Sequence, residues 1–297
     1  MLEVKKEDAV EVSIMNHINH KKRDAKKVEQ MFSNIATRYD LLNHVLSFGL
    51  DIGWRKKVAM ETGRCDSIPR KIKCHRILDV CTGTGDMAIE LCRFWKGTAQ
   101  VEGLDFSQEL INIGREKVQK AKLNNLITFR EGNAEKLPYD DEQFDAVTIT
   151  FGLRNINNRF KALKEFYRVT KPGGRFVCLE FSQPTNPFFA HIYFFYLMKL
   201  APFVSKIFGS DHAAYQYLGN TIKDFPSPPE LISLIESAGW KEVANYNLAG
   251  GIVAVHRGSK QWRKCSSLLS STFLEFYSVE FLQLSYELFF RNSSNLN

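Results

Sequence analysis

Two hydrophobic rhythms alternate along this chain. Short apolar runs over Ile77 to Val80, Val101 to Leu104, Ile127 to Arg130, Phe144 to Thr150 and Arg175 to Phe181 read as strands. Between them apolar residues recur every three or four positions, which predicts helices over about 86–94, 108–121 and 159–169. Strands alternating with helices of this length predict an α/β fold, a parallel sheet covered on both faces. Upstream, Met31, Phe32, Ile35, Tyr39 and Leu42 give residues 28–60 a helical period. After Ser182 the alternation stops. An aromatic-rich helical stretch follows, then a helix over 229–238 and two closing strands near 242–247 and 252–256. The expected organisation is a polar, basic lead-in (1–27), a folded domain (28–258) with a helical insertion (182–228), and a C-terminal extension (259–297).

Composition adds little and excludes some classes. With 44% hydrophobic and 25% charged residues, the 297-residue chain is of ordinary globular make-up. The net charge of +7 would suit a nucleic acid or an anionic membrane surface, but charge alone implies neither. The six cysteines form no CxxC pair and no zinc-like spacing, so reduced thiols in a cytoplasmic protein are expected. No metal site is implied. The run from Phe188 to Phe208 is interrupted by His191, Lys199, Pro202 and Lys206, which argues against a membrane span.

The candidate chemistry sits where strands end. Asp79-Val80-Cys81-Thr82-Gly83-Thr84-Gly85-Asp86 turns a buried strand into a helix. Gly83 and Gly85 let a ligand approach the backbone, and the helix N-terminus offers free N–H groups to an anion. Asp105 ends the second strand, where an acidic side chain can take both ribose hydroxyls. Gly132-Asn133-Ala134-Glu135 ends the third, where Asn133 can meet an adenine edge. Each feature alone has a plain structural reading: a tight turn, a helix cap, a loop Asn. All three fall at the carboxyl edge of the sheet, where open α/β sheets bind ligands, and together they read as a nucleoside site. Cys81 stands where a dinucleotide-binding turn has its first glycine.

The TGTGD turn resembles the first motif of class I methyltransferases, and Arg168 to Arg175 resembles the turn before their fifth strand. The resemblance narrows to the UbiE/MenG family of ubiquinone and menaquinone C-methyltransferases over roughly residues 26–258. It rests on Tyr39-Asp40-Leu41-Leu42-Asn43 with Ser47 and Trp54-Arg55, on Phe151-Gly152-Leu153-Arg154-Asn155, and on Leu179-Glu180-Phe181-Ser182. Ala214 to Leu218 and His256-Arg257-Gly258 also match. Asp51 stands where the family usually carries His, and Thr150 where it usually carries Ser.

That resemblance implies a Rossmann-like fold with added helices over the active site, and S-adenosyl-L-methionine as cofactor. The family's cofactor contacts fall on Thr84, Asp105, Asn133, Ala134 and Thr150, beside Gly83 and Gly85. The expected acceptor is a prenylated quinol, either demethylmenaquinol or a methoxy-polyprenyl-benzoquinol. Arg154 is expected to stabilise the phenolate and Asn155 to orient it, the alternative for Arg154 being a structural salt bridge. Tyr39 and Asp40 are candidates for closing the site, and Asp211-His212 for a base. Peripheral contact with a membrane, and a homo-oligomer or quinone-synthesis assembly, fit such a substrate; nucleic acid is not expected. An RNA or DNA methyltransferase would carry a Pro-Cys pair or an Asp/Asn-Pro-Pro-Tyr/Phe tetrad where this chain has FGLRN. A sterol or phenol methyltransferase and a non-catalytic scaffold are the other rivals.

Overall fold

A computed structural model describes residues 44, 47, 49–63, 76–184, 186, 188, 190, 191, 193 and 212–262. The basic lead-in, Tyr39, Asp40, Asp211, most of the aromatic stretch and the extension beyond residue 262 lie outside the described residues.

Seven strands form one sheet: β1 Arg76–Val80, β2 Gln100–Asp105, β3 Ile127–Glu131, β4 Phe144–Thr150, β5 Thr170–Phe181, β6 Lys241–Leu248 and β7 Val253–Ser259. Their order is β3-β2-β1-β4-β5-β7-β6. Strands β1 to β5 pair in parallel, and β7 runs antiparallel to both β5 and β6. The expected α/β sheet is therefore present, closed by a hairpin whose second strand inserts beside β5. The described helices are α1 Leu50–Thr62, α2 Asp86–Phe94, α3 Gln108–Lys120, α4 Arg159–Val169, α5 His212–Lys223 and α6 Pro228–Ser237.

The period-two alternation of the strands sends side chains into two cores. Leu78, Val80, Val147, Ile149 and Phe176 meet Leu163 and Phe166 of α4 and Leu231 and Leu234 of α6. On the opposite face Ile77, Val101, Ala146, Val177 and Leu179 meet Trp54 and Val58 of α1 and Met87 and Leu91 of α2. Residues 77–80 are buried on both faces, as a central parallel strand requires, and the one polar side chain among them is Asp79.

Two boundaries differ from the periodicity. The helical pattern over 28–60 is broken at Gly49, whose φ of 74° caps the start of α1 at Leu50. Strand β5 begins at Thr170 rather than Arg175, because the Lys171–Gly174 segment bulges out between the Phe144 and Ala146 pairings. Gly173, with φ of 80°, absorbs that bend. Helix α1 is tied down at its far end. Glu61, fully buried, accepts from Lys57 Nζ at 2.6 Å and lies 3.6 Å from Arg257 Nη1 on β7.

Candidate active site

The chain leaves β1, builds β2 and β3 on one side, then returns to place β4 on the other side of β1. The carboxyl ends of β1 and β4 thus border the crevice in which such sheets hold ligands. The glycine turn lies there. Cys81, Gly83 and Gly85 have φ of 54°, 56° and 82°, all left-handed. A side chain on Gly83 would meet nothing within 4 Å, so that flank is open. A Cβ on Gly85 would come within 2.8 Å of Phe129 Cζ, and that ring is itself wedged against Gly103 and Gly114. No side chain caps α2 after Gly85, leaving its first N–H groups for a ligand.

Two buried carboxylates brace the turn. Asp79 accepts from Thr82 Oγ1 at 2.6 Å and from Thr148 Oγ1 on β4 at 2.7 Å. Asp105 accepts from the Gly83 N–H at 2.8 Å and the Ser107 N–H at 3.0 Å. Burial pushes both acids up to about 6, against the pull of those donors. Capping of α3 falls to the Ser107 hydroxyl, which accepts from the Leu110 N–H, so Asp105 faces the turn instead. Even with the Phe106 N–H also close by, these backbone donors leave a lone pair free on a carboxylate that has about four acceptor positions.

A chain of charges links the turn to α1. Lys117 Nζ of α3 donates to Thr84 Oγ1 at 3.1 Å and pairs with Asp86, the first residue of α2. Arg55 Nη2 lies 3.6 Å from the other Asp86 oxygen, while its Nη1 pairs with Asp51. Asp51, only 1% exposed, accepts from Ser47 Oγ at 2.8 Å and lies 2.7 Å from His44 Nδ1. Bonds from His44, Ser47 and Arg55 outweigh burial and hold Asp51 below the usual carboxylate range. The aspartate that replaces the usual family histidine is thus a buried anchor of α1.

Further along the edge, Asn133 is exposed and spends its Oδ1 on the Glu135 N–H at 2.8 Å, while Ala134 beside it is buried. Thr150 ends β4 with its Oγ1 buried and without a hydrogen-bond partner among the described residues. A hydroxyl without a partner, an uncapped helix N-terminus and open space at Gly83 all fit a bound polar ligand such as a nucleoside carrying an amino-acid tail.

FGLRN turns directly against the glycine loop. A Cβ on Gly152 would fall 2.4 Å from Cys81 Cβ, so the two turns touch. Phe151 stacks on Phe181 with ring centroids 4.6 Å apart, and Trp54 of α1 meets Phe151 edge-on at 6.3 Å. Arg154 is 5% exposed. Its Nη1 donates to Glu180 Oε1 at 2.7 Å and to the Phe151 carbonyl, and its backbone N–H donates to Glu180 Oε2 at 3.1 Å. Arg154 therefore does form the buried salt bridge named above as the structural alternative. Asn155 Oδ1 accepts from Tyr217 Oη on α5 at 3.1 Å, which ties the helical insertion to this turn.

Of the residues singled out from sequence, Gly83, Thr84, Gly85, Asp105, Asn133, Ala134, Thr150, Arg154 and Asn155 all lie along one sheet edge. Tyr39, Asp40, Asp211 and the side chain of His212 lie outside the described residues. Lys117, Glu180 and the Gly152–Cys81 contact were not singled out as site features. Glu180 lies in the Leu179–Ser182 motif, but nothing in its spacing names Arg154 as partner.

The residue at the first position of the turn, Cys81 where a dinucleotide-binding turn carries glycine, sets this crevice apart from those of the dinucleotide-binding sheets, although its φ of 54° keeps the same left-handed bend. Its class is that of the S-adenosylmethionine-dependent methyltransferases. A SAM-dependent methyltransferase from Thermotoga maritima shares the fold, with a TM-score of 0.52 at 19% identity over 78% of this chain and 99% of that one. The chain belongs to the ubiE/COQ5 methyltransferase family, whose model matches residues 19–260. A Geobacter sp. protein named ubiquinone/menaquinone biosynthesis C-methyltransferase UbiE is 41% identical over 234 residues, 79% of this chain and 96% of its own length. The demethylmenaquinone methyltransferase of Alkalihalophilus pseudofirmus is 41% identical over 236 residues, again 79% and 96%.

Proposed function

We propose that this enzyme moves the methyl group of S-adenosylmethionine to a ring carbon of a prenylated quinol, the C-methylation step of menaquinone or ubiquinone synthesis. The observation that carries this is the contact between Gly152 and Cys81, which sets the FGLRN turn against the glycine turn. A methyl donor on one turn and an acceptor on the other would lie side by side. In-line transfer needs the reacting atoms within about 3–3.5 Å.

When bound, S-adenosylmethionine supplies an electrophilic methyl on a sulfonium. Thr84 and the N–H groups opening α2 would hold the amino-acid end, Asp105 the ribose hydroxyls, Asn133 and Ala134 the adenine, and Thr150 Oγ1 would gain its missing partner. Asp105→Ala is expected to weaken cofactor binding by roughly 1.5–3 kcal/mol, the worth of a charge-assisted hydrogen bond. Calorimetry that finds unchanged affinity in a folded variant would remove Asp105 from the site.

The acceptor ring must lose a hydroxyl proton to become nucleophilic at carbon. Arg154 would then meet the phenolate with guanidinium N–H donors, its orientation set by Glu180, and Asn155, held by Tyr217, would align the ring. Phe151, Phe181 and Trp54 keep water from the site, which strengthens those charge interactions. A prenyl tail also calls for a membrane. No helix among the described residues is long and apolar enough to cross one, and the exposed Leu50, Ile52 and Phe188 suit peripheral contact.

The test uses the redox state of the acceptor. Purified protein is expected to methylate a prenylated demethylquinol and not its oxidised quinone, which has no hydroxyl to deprotonate. Equal turnover of both under anaerobic, reductant-free conditions would contradict the mechanism.

A further inference from the structure

Ser182 carries a polar group that the roles above leave unused. It follows Phe181 directly, is 6% exposed, and its Oγ is buried without a hydrogen-bond partner among the described residues. Its backbone is fixed, the N–H donating to the Ile252 carbonyl at 2.8 Å. Gln183 next to it reaches the Lys223 carbonyl at the end of α5 at 3.4 Å. A dry, unpaired hydroxyl costs free energy that an alanine would avoid. Such groups in a folded protein call for a specific explanation.

The sheet register supplies one. Val80 pairs with Ile149, so Thr150 is level with Cys81, where the glycine turn begins. Thr150 in turn pairs with Leu179. Ser182 stands three residues beyond that level, one past the end of β5 and about 10 Å on at the rise of an extended chain. The odd spacing from Leu179 puts it on the sheet face of Glu180 rather than that of Thr150. Thr150 and Ser182 are thus two unpaired hydroxyls on one sheet edge, the first at the layer of the cofactor turn and the second outside it. The stacked rings of Phe151 and Phe181 lie between them in the chain order of the two strands. A methyl acceptor has to lie outside the cofactor layer and against it.

We propose that Ser182 Oγ hydrogen-bonds an oxygen of the aromatic acceptor, making it a substrate-binding residue that selects a ring bearing oxygen. The inference rests on the quinol reading above and names the group that would recognise the ring. Bound acceptor would supply the partner that the hydroxyl lacks.

Ser182→Ala tests it with three readouts. The expected result is a kcat/KM for prenylated demethylquinol lower by on the order of 10- to 100-fold, the worth of one lost hydrogen bond. S-adenosylmethionine affinity should be unchanged, and the ligand-free variant should melt at or above the wild-type temperature. Wild-type turnover matched by S182A would overturn the assignment and leave the quinol reading standing. A wild type inactive on the quinol would overturn both. A variant that melts several degrees lower would show that the hydroxyl has a partner inside the protein, and that too would overturn it.

Discussion

Arg154→Met is expected to lower the free energy of unfolding by about 3–5 kcal/mol, the cost of stripping a buried charge of its partner. Glu180 is 1% exposed and 2.7 Å from the guanidinium, so the loss leaves a carboxylate in the core whose remaining partners among the described residues are the backbone N–H groups of residues 154 and 181. Adding Glu180→Gln removes that charge and should recover most of the stability, as read by denaturant titration. Catalysis separates from folding in the same pair of variants. If the guanidinium stabilises a developing phenolate, kcat should fall on the order of 10²–10³-fold in both, by analogy with loss of one oxyanion-hole donor. A double variant restored in both stability and kcat would sink the catalytic role and leave Arg154 as a structural ion pair.

Gly152→Ala should disturb the cofactor turn although Gly152 lies in a different segment. Its φ of −109° is open to any residue, so the constraint is space. The new methyl would stand 2.4 Å from Cys81 Cβ and 3.0 Å from Sγ. Overpacking of this kind costs about 1–3 kcal/mol and is relieved by moving backbone. The backbone that must move is the glycine turn, so S-adenosylmethionine affinity should drop by an order of magnitude or more on the same energy scale. The compensating change is Cys81→Gly. It removes the opposing Cβ at a residue whose φ of 54° favours glycine in any case. Calorimetry on G152A and on G152A/C81G checks both parts. Wild-type affinity in G152A would show that the two turns do not share a wall.

Much of this was legible along the chain because local chemistry carried it. The strand and helix rhythm placed most elements within one or two residues, since burial on one face or two imposes period 3.6 or an unbroken apolar run. Gly83, Gly85 and Asp105 announced a ligand-binding edge because only certain residue types serve a left-handed turn at the end of a strand. Breaks in that legibility have local causes too. Gly49 ends a helical period that the apolar residues alone continue, and Gly173 lets β5 bulge where no apolar residue marks a strand.

The sequence by itself determined that the protein is a mostly parallel α/β methyltransferase with a nucleoside edge, and which residue types stand on that edge. Only the tertiary structure decided their partners. Periodicity reports that a side chain is buried, not against what. Nothing local tells β7 to insert between β5 and β6, which is what brings Arg257 within reach of Glu61 and so ties the end of α1 to the sheet. Nor does spacing set Arg154 on Glu180, or the Gly83 N–H on Asp105. Each pair joins a residue in a turn to a carboxylate on a different strand, and their desolvation is tolerable only once the sheet has put donor and acceptor together.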